Sequence, residues 1–208
     1  MTKPSILPLR VDAIPPDLAA SNQWVAWQLA FRGDKWTKIP LCPHSGGNAA
    51  VDRPNTWGSF ANAVSYRQTG RADGIAYVLT AQDPIVAIDL DKCVSAATVE
   101  TWAAEIIARL ASYTEISPSG SGIRILCRGT LPPGRRRRGH IEMYSDGRYV
   151  TITGHHVAGT PKLIENRRAE LAALHAEVFA KPVKQHQSER SGSGLTTADD
   201  HELIERAK

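Results

Sequence analysis

Cysteine is scarce in this sequence. Cys42, Cys93 and Cys127 are odd in number, far apart and without a Cys-x-x-Cys pair, which excludes a framework of paired disulfides and supplies no zinc-ligand spacing. Long apolar runs are missing too: no segment approaches the roughly 18 apolar residues that span a bilayer. Residues 1–10 hold no apolar stretch of signal-peptide length. These absences predict a soluble, unsecreted, cytoplasmic protein with no membrane partner. Nor does either charge dominate, since 25 Lys and Arg face 21 Asp and Glu for a net charge of +4, an excess that permits a polyanionic partner without requiring one. No internal repeat is visible.

What is present is a chain long enough for one substantial core. Its 208 residues are 42% hydrophobic, which suits a single domain over 1–180. Residues 181–194 are rich in Lys, Gln, Ser and Gly and have linker composition. Residues 195–208 resemble a capped helix cut short, which predicts a longer polypeptide continuing beyond it.

Within the domain, residues 24–31 are aromatic and β-prone and run into Arg32-Gly33-Asp34, a strand followed by a turn. A loop is expected through Lys38, Pro40, Pro43 and Gly46 to Pro54, then a helix capped by Thr56 and carrying Trp57, Phe60, Ala61 and Val64. The apolar runs 74–80 and 85–90, separated by Gln82-Asp83-Pro84, predict a core hairpin. Val99, Trp102, Ile106, Ile107 and Leu110 recur at helical spacing over 98–110. Further strands are expected at 113–117, 123–127 and 140–144, the last paired with 148–153 across Asp146-Gly147, a strong hairpin signal. A helix over 168–179 closes the domain. This strand-rich mixture with flanking helices predicts an α+β two-layer sandwich with a mostly antiparallel or mixed sheet.

Several residues suit chemistry. Asp89-Leu90-Asp91 ends a hydrophobic strand, so both carboxylates leave one face while Leu90 enters the other. Paired carboxylates of this kind can hold Mg²⁺ or Mn²⁺ and leave sites open for phosphate; alone, the tripeptide more often serves to cap a turn. Ser119, Gly120, Ser121 and Gly122 sit in a loop between two strands, where glycine allows backbone amides to approach phosphate. Arg124 follows on the next strand, and a guanidinium fork suits phosphate. Glu142 shares the polar side of its strand with His140 and Tyr144, and Arg148 lies across the Asp-Gly turn. The run Arg135, Arg136, Arg137, Arg138 follows Pro132-Pro133-Gly134, as an exposed loop able to grip nucleic-acid phosphates or simply to be solvated. His155-His156 lacks a third ligand and is not a metal site. The five tryptophans are read as packing residues, Trp36 beside Lys35 being the one that can be exposed.

Taken in order, Trp24-Val-x-Trp27, Lys38-Ile39-Pro40, Thr56-Trp57-Gly58-Ser59-Phe60, Gly74-Ile75-x-Tyr77-Val78, Ile88-Asp89-Leu90-Asp91, Ser117-Pro118-Ser119-Gly120-Ser121-Gly122, Ile141-Glu142-Met143-Tyr144 and Arg148-Tyr149-x-Thr151-x-Thr153-Gly154 resemble the primase-polymerase domain of phages and mobile elements. That domain belongs to the archaeo-eukaryotic primase superfamily, and the resemblance covers about residues 20–160. It implies the primase-like catalytic core and a nucleotidyltransferase that joins NTP or dNTP to a 3′-hydroxyl on a single-stranded DNA template with its primer. It further implies a two-metal Mg²⁺ or Mn²⁺ site on Asp89, Asp91 and Glu142. Ser119, Gly120, Ser121, Gly122, Arg124, Arg148 and Lys38 would then hold the triphosphate, and a helical and helicase region would follow in the same polypeptide. The second motif of such domains usually ends in histidine, and here Arg124 stands in that place. Substitution of role is one reading; a catalytically altered module that binds nucleotide or single-stranded nucleic acid is another, and a metal-dependent nuclease a third.

Overall fold

The computed structural model describes residues 2–180; the expected linker and C-terminal helix lie outside the described residues. Among the described residues, two larger antiparallel sheets, a two-stranded ribbon and four α-helices make an α+β fold. The first sheet contains β1 (Trp24–Arg32), β2 (Lys35–Leu41), β3 (Gly74–Leu79) and β11 (Arg148–Ile152), in the order β11-β3-β1-β2. The second contains β4 (Ile85–Leu90), β7 (Tyr113–Ile116), β8 (Ile123–Arg128), β9 (Arg137–Arg138) and β10 (Ile141–Tyr144), in the order β7-β8-β4-β10-β9. A small β5 (Val94–Ser95) and β6 (Thr98–Val99) ribbon leads into helix α3 (Thr101–Leu110). The remaining helices are α1 (Pro16–Ala19), α2 (Phe60–Tyr66) and α4 (Arg168–Phe179).

Strand alternation sets the layers. On the second sheet Val86, Ile88, Leu90, Ile123, Ile125 and Met143 face α3 and α4, burying Ala103 and Leu110 of one and Leu171 and Leu174 of the other. Each fully buried Leu contributes about 1.5–3 kcal/mol. The opposite face, with Ile85, Ala87, Leu126 and Tyr144, shares a core with Ile75, Tyr77, Leu79, Val150 and Trp24 of the first sheet. The layers are therefore helices, sheet and sheet, one more than the expected sandwich. No helix among the described residues is long and apolar enough to cross a membrane.

Both expected hairpins prove to be crossings between sheets. β3 pairs with β1 and β11, and β4 with β8 and β10; each already has both edges occupied, so the two cannot pair with each other. Asp83 secures the link, accepting from Tyr77 Oη at 2.7 Å, Gln23 Nε2 at 3.0 Å and the Ile85 amide at 3.0 Å. Likewise β10 pairs with β4 and β11 with β3, so Asp146-Gly147 carries the chain from one sheet to the other. The expected loop from Lys38 onward begins as strand β2, an outer strand of its sheet where Pro40 is tolerated, and the chain folds back on it through the Ala49 amide to the Pro40 carbonyl and a bridge between Leu41 and Asn48. Ser59, not Thr56, caps α2: it forms a reciprocal capping box with Asn62, worth about 1 kcal/mol. The buried cysteines are all free thiols.

Candidate active site

Register across the second sheet assembles a row of charge that chain order conceals. Glu115 of β7 lies opposite Arg124 of β8, Arg124 opposite Asp89 of β4, Asp89 opposite Glu142 of β10, and Glu142 opposite Arg137 of β9. Directly opposed residues share a face. The row thus alternates in sign except where Asp89 meets Glu142, and there two carboxylates stand side by side. Asp91 follows Asp89 by one alternation, its amide donating to the His140 carbonyl at 2.8 Å as the β4–β10 pairing runs on.

Each carboxylate has a cationic neighbour. Arg124 Nε and Nη2 reach Asp89 Oδ1 at 2.7 and 2.6 Å. Arg124 Nη1 donates to the carbonyl of Thr151 on β11 and, at 2.7 Å, to its hydroxyl, so one buried guanidinium ties the two sheets together. Arg137 Nε lies 3.1 Å from Glu142 Oε1, while Tyr144 Oη donates to Oε2 at 2.8 Å. Arg148 in turn donates to Tyr144 Oη at 3.1 Å and lies 4.5 Å from its ring centre.

Glu115, which sequence reasoning treated only as part of a strand, is fully buried. It accepts the amides of Thr153 and Gly154 at 3.0 and 2.9 Å and the Tyr113 hydroxyl at 3.0 Å. Burial pushes its pKa above the ordinary carboxylate range, against the pull of Arg124 and these donors. No local sequence signal marks it; the parity of β7 with β8 could have found it, given the register.

Beside the row, an open cavity of about 380 Å³ is lined by Lys38, Val51, Arg124, Gly147, Arg148, Tyr149 and Thr151. Three of the expected phosphate-binding cations therefore meet on one surface. Lys38 is held 5.4 Å from the Trp27 ring centre, and Tyr149 Oη donates to its carbonyl at 2.8 Å. Burial, and then the charge of Arg124, lower the Lys38 pKa to about 8, while Asp89 and Asp91 act in the opposite direction.

The Ser-Gly loop is adjacent but differently used. A Cβ on Gly122 would come within 2.9 Å of the Leu90 carbonyl, so glycine is needed for the loop to pack on the end of β4. The expected cradle of free amides is largely engaged: Gly120 N–H donates to the Ser117 carbonyl at 2.9 Å and Gly122 N–H to Ser117 Oγ at 3.1 Å. Ser119 and Ser121 present linked hydroxyls, 2.9 Å apart.

The arginine run is exposed as expected except at half-buried Arg136, but half of it is strand and not loop. Arg137 and Arg138 form the outer strand β9, Arg136 Nη1 donates to the Pro132 carbonyl at 2.6 Å, and Arg138 Nη1 to the Val178 carbonyl at 2.7 Å near the end of α4. A cation at a helix C-terminus is favourable. Arg135 is exposed. His155 and His156 make structural contacts, to the Pro8 carbonyl and to Thr160 and Pro161.

As to a metal, no three His, Cys, Asp or Glu side chains close on one point among the described residues. Of the expected trio, the register puts Asp89 and Glu142 opposite one another, while Asp91 does not close with them into a three-carboxylate cluster. Arginines take up the carboxylates because adjacent like charges need neutralising. Oxygen donors from one or two carboxylates, completed by water and phosphate, are the usual Mg²⁺ arrangement, and this donor set fits that open kind of site.

No protein-family model matches the chain. Over 92% of its length the chain is 32% identical to the DNA primase-polymerase of Nitratiruptor phage NrS-1, and it spans 27% of that protein. This similarity supports a primase-polymerase domain of a mobile element.

Proposed function

We propose that the chain is a nucleotidyltransferase domain that adds NTP or dNTP units to a 3′-hydroxyl on a single-stranded DNA template, in the replication of a phage, plasmid or other mobile element. One observation carries the reading: the Asp89–Glu142 carboxylate pair, opposite one another on β4 and β10, is joined through the Asp89–Arg124 ion pair to a cavity lined by Lys38, Arg124 and Arg148. Carboxylates for a divalent cation and cations for a triphosphate are what phosphoryl transfer requires. The likeness to a phage DNA primase-polymerase and the α+β fold are consistent with a primase-like core.

In this reading Asp89, Glu142 and Asp91 hold Mg²⁺ or Mn²⁺. When bound, the cation supplies charge neutralisation at the phosphates and acidifies the attacking hydroxyl. Lys38 and Arg148 bind triphosphate oxygens from the cavity wall. Arg124 stays cationic and offers a fork; it holds Asp89 before substrate arrives and turns toward phosphate afterwards, while Thr151 keeps its Nη1 end in place. The loop hydroxyls of Ser119 and Ser121 serve the phosphate in place of engaged amides, and Tyr144 orients Glu142.

The test is strand extension on a primed single-stranded template with Mg²⁺ or Mn²⁺. Wild type extends it, and Asp89→Asn and Glu142→Gln do not. Extension by both variants at the wild-type rate would falsify the assignment. Degradation of a labelled strand without nucleotide would instead indicate a nuclease, and salt-sensitive binding without turnover a binding module.

A further inference from the structure

The β1–β2 hairpin carries surface features that the pocket does not use. Its register pairs Phe31 with Trp36, Leu29 with Lys38 and Trp27 with Pro40, so these side chains lie on one face. That face begins at the cavity with Lys38 over Trp27 and ends at the hairpin tip. There Phe31 is 47% exposed, among the most exposed large apolar side chains described, and its ring centre lies 5.5 Å from that of Trp36, tilted by 59°. Trp24, Trp27 and Trp57 each donate an indole N–H to a backbone carbonyl. Trp36 does not: its Nε1 is shielded and without a partner among the described residues, so no hydrogen bond fixes the ring, which packs against Phe31. Arg32 and Lys35 are exposed at the same tip, with Asp34 in the turn at φ 64°.

We propose that the outer end of this hairpin is a stacking platform for single-stranded nucleic acid, with Phe31 and Trp36 taking bases and Arg32 and Lys35 taking phosphates. The inference rests on the polymerase reading only for which strand arrives, the template; the surface chemistry stands apart from it. Aromatic rings flanked by cations are the combination by which proteins hold unpaired strands without reading sequence; here exposed Phe31 and half-buried Trp36 share one face, and Arg32 and Lys35, the next register pair, flank them from the other. A cross-strand aromatic pair also steadies a hairpin, but that purpose does not call for a cation beside each ring, as Arg32 and Lys35 are placed here. Lys38 is two residues from Trp36, roughly 7 Å along the strand, so a chain leaving the cavity over Lys38 meets the rings next.

The experiment uses the whole chain and a fluorescein-labelled oligothymidylate, with Mn²⁺–dTTP binding measured separately by calorimetry. Phe31→Ala and Trp36→Ala should each weaken oligonucleotide binding about tenfold, Trp36→Phe should retain most of it, and dTTP binding should not change in any of them. Oligonucleotide should quench tryptophan emission in wild type, and the quench should shrink in Trp36→Phe; this readout holds even if an alanine variant folds poorly. A duplex competitor should displace the oligonucleotide weakly. Wild-type affinity in both folded alanine variants, or equal competition by duplex, overturns the platform. Ring-dependent oligonucleotide binding without dTTP binding supports the platform and removes the polymerase reading.

Discussion

The two ends of the charged row behave as opposites although the same sheet builds both. At one end Glu115 is sealed in the core, with two amides, a hydroxyl and Arg124 arranged around it. At the other, Glu142 is met by Arg137, whose side chain is 66% exposed. A buried, hydrogen-bonded charge is costly to disturb, whereas an exposed ion pair is cheap to exchange. The buried end fixes where Arg124 sits; the open end can trade its partners for substrate and cation.

The largest effect should come from breaking the buried end. Glu115→Ala strands the Thr153 and Gly154 amides and leaves Arg124 without its inner counter-charge, and should cost about 3–5 kcal/mol, read as a lower midpoint in urea unfolding. An unchanged midpoint would remove the contrast between the ends. Next is Asp89→Asn, which keeps the shape and a hydrogen-bond acceptor for Arg124. It should reduce strand extension at least about a hundredfold, given that even residues supporting a metal ligand cost 10–100-fold, with stability much closer to wild type than in Glu115→Ala.

A pH profile sharpens the comparison further. With its pKa lowered to about 8, Lys38 in the free protein loses its proton as pH rises through that value. The kcat/KM for nucleotide should therefore fall above about pH 8, and Lys38→Arg should abolish that limb of the profile, because arginine remains charged. The stability contribution runs in the other direction: between about 8 and the ordinary value of 10.5 the unfolded chain binds more protons than the folded one, so stability rises with pH there. The smallest effect belongs to Arg137→Ala, which should change unfolding free energy by no more than about 1 kcal/mol, measured against Glu115→Ala in the same denaturant series.

Local patterns were legible where the physics is local. The strand at β1 and the helices α3 and α4 follow from side-chain alternation or helical repeat, and the structure bears them out; β4 ends at Leu90, so Asp91 falls in the turn beyond the alternation that was read for it. The packing role read for Trp24, Trp27 and Trp57 holds as well. The hairpins failed for one reason in two places. A short turn between apolar strands shows that the strands are consecutive, not that they are partners, and here each partner is a distant segment. The exposure of the arginine run was read correctly, but not its strand, because Pro-Pro-Gly signals a turn and cannot reveal that β10 offers an open edge beside it.

By itself the sequence determined the α+β composition, the thiol state implied by unpaired cysteines, the strand that carries Asp89, and an ordered set of motifs that resembles the primase-polymerase domain. Only the tertiary structure decided which strands adjoin, and through that the opposition of Glu142 to Asp89, the locking of Arg124 between Asp89 and Thr151, and the burial of Glu115. The reason is that periodicity is written within a segment of a few residues, whereas register is set by which edges remain free once the whole chain has packed.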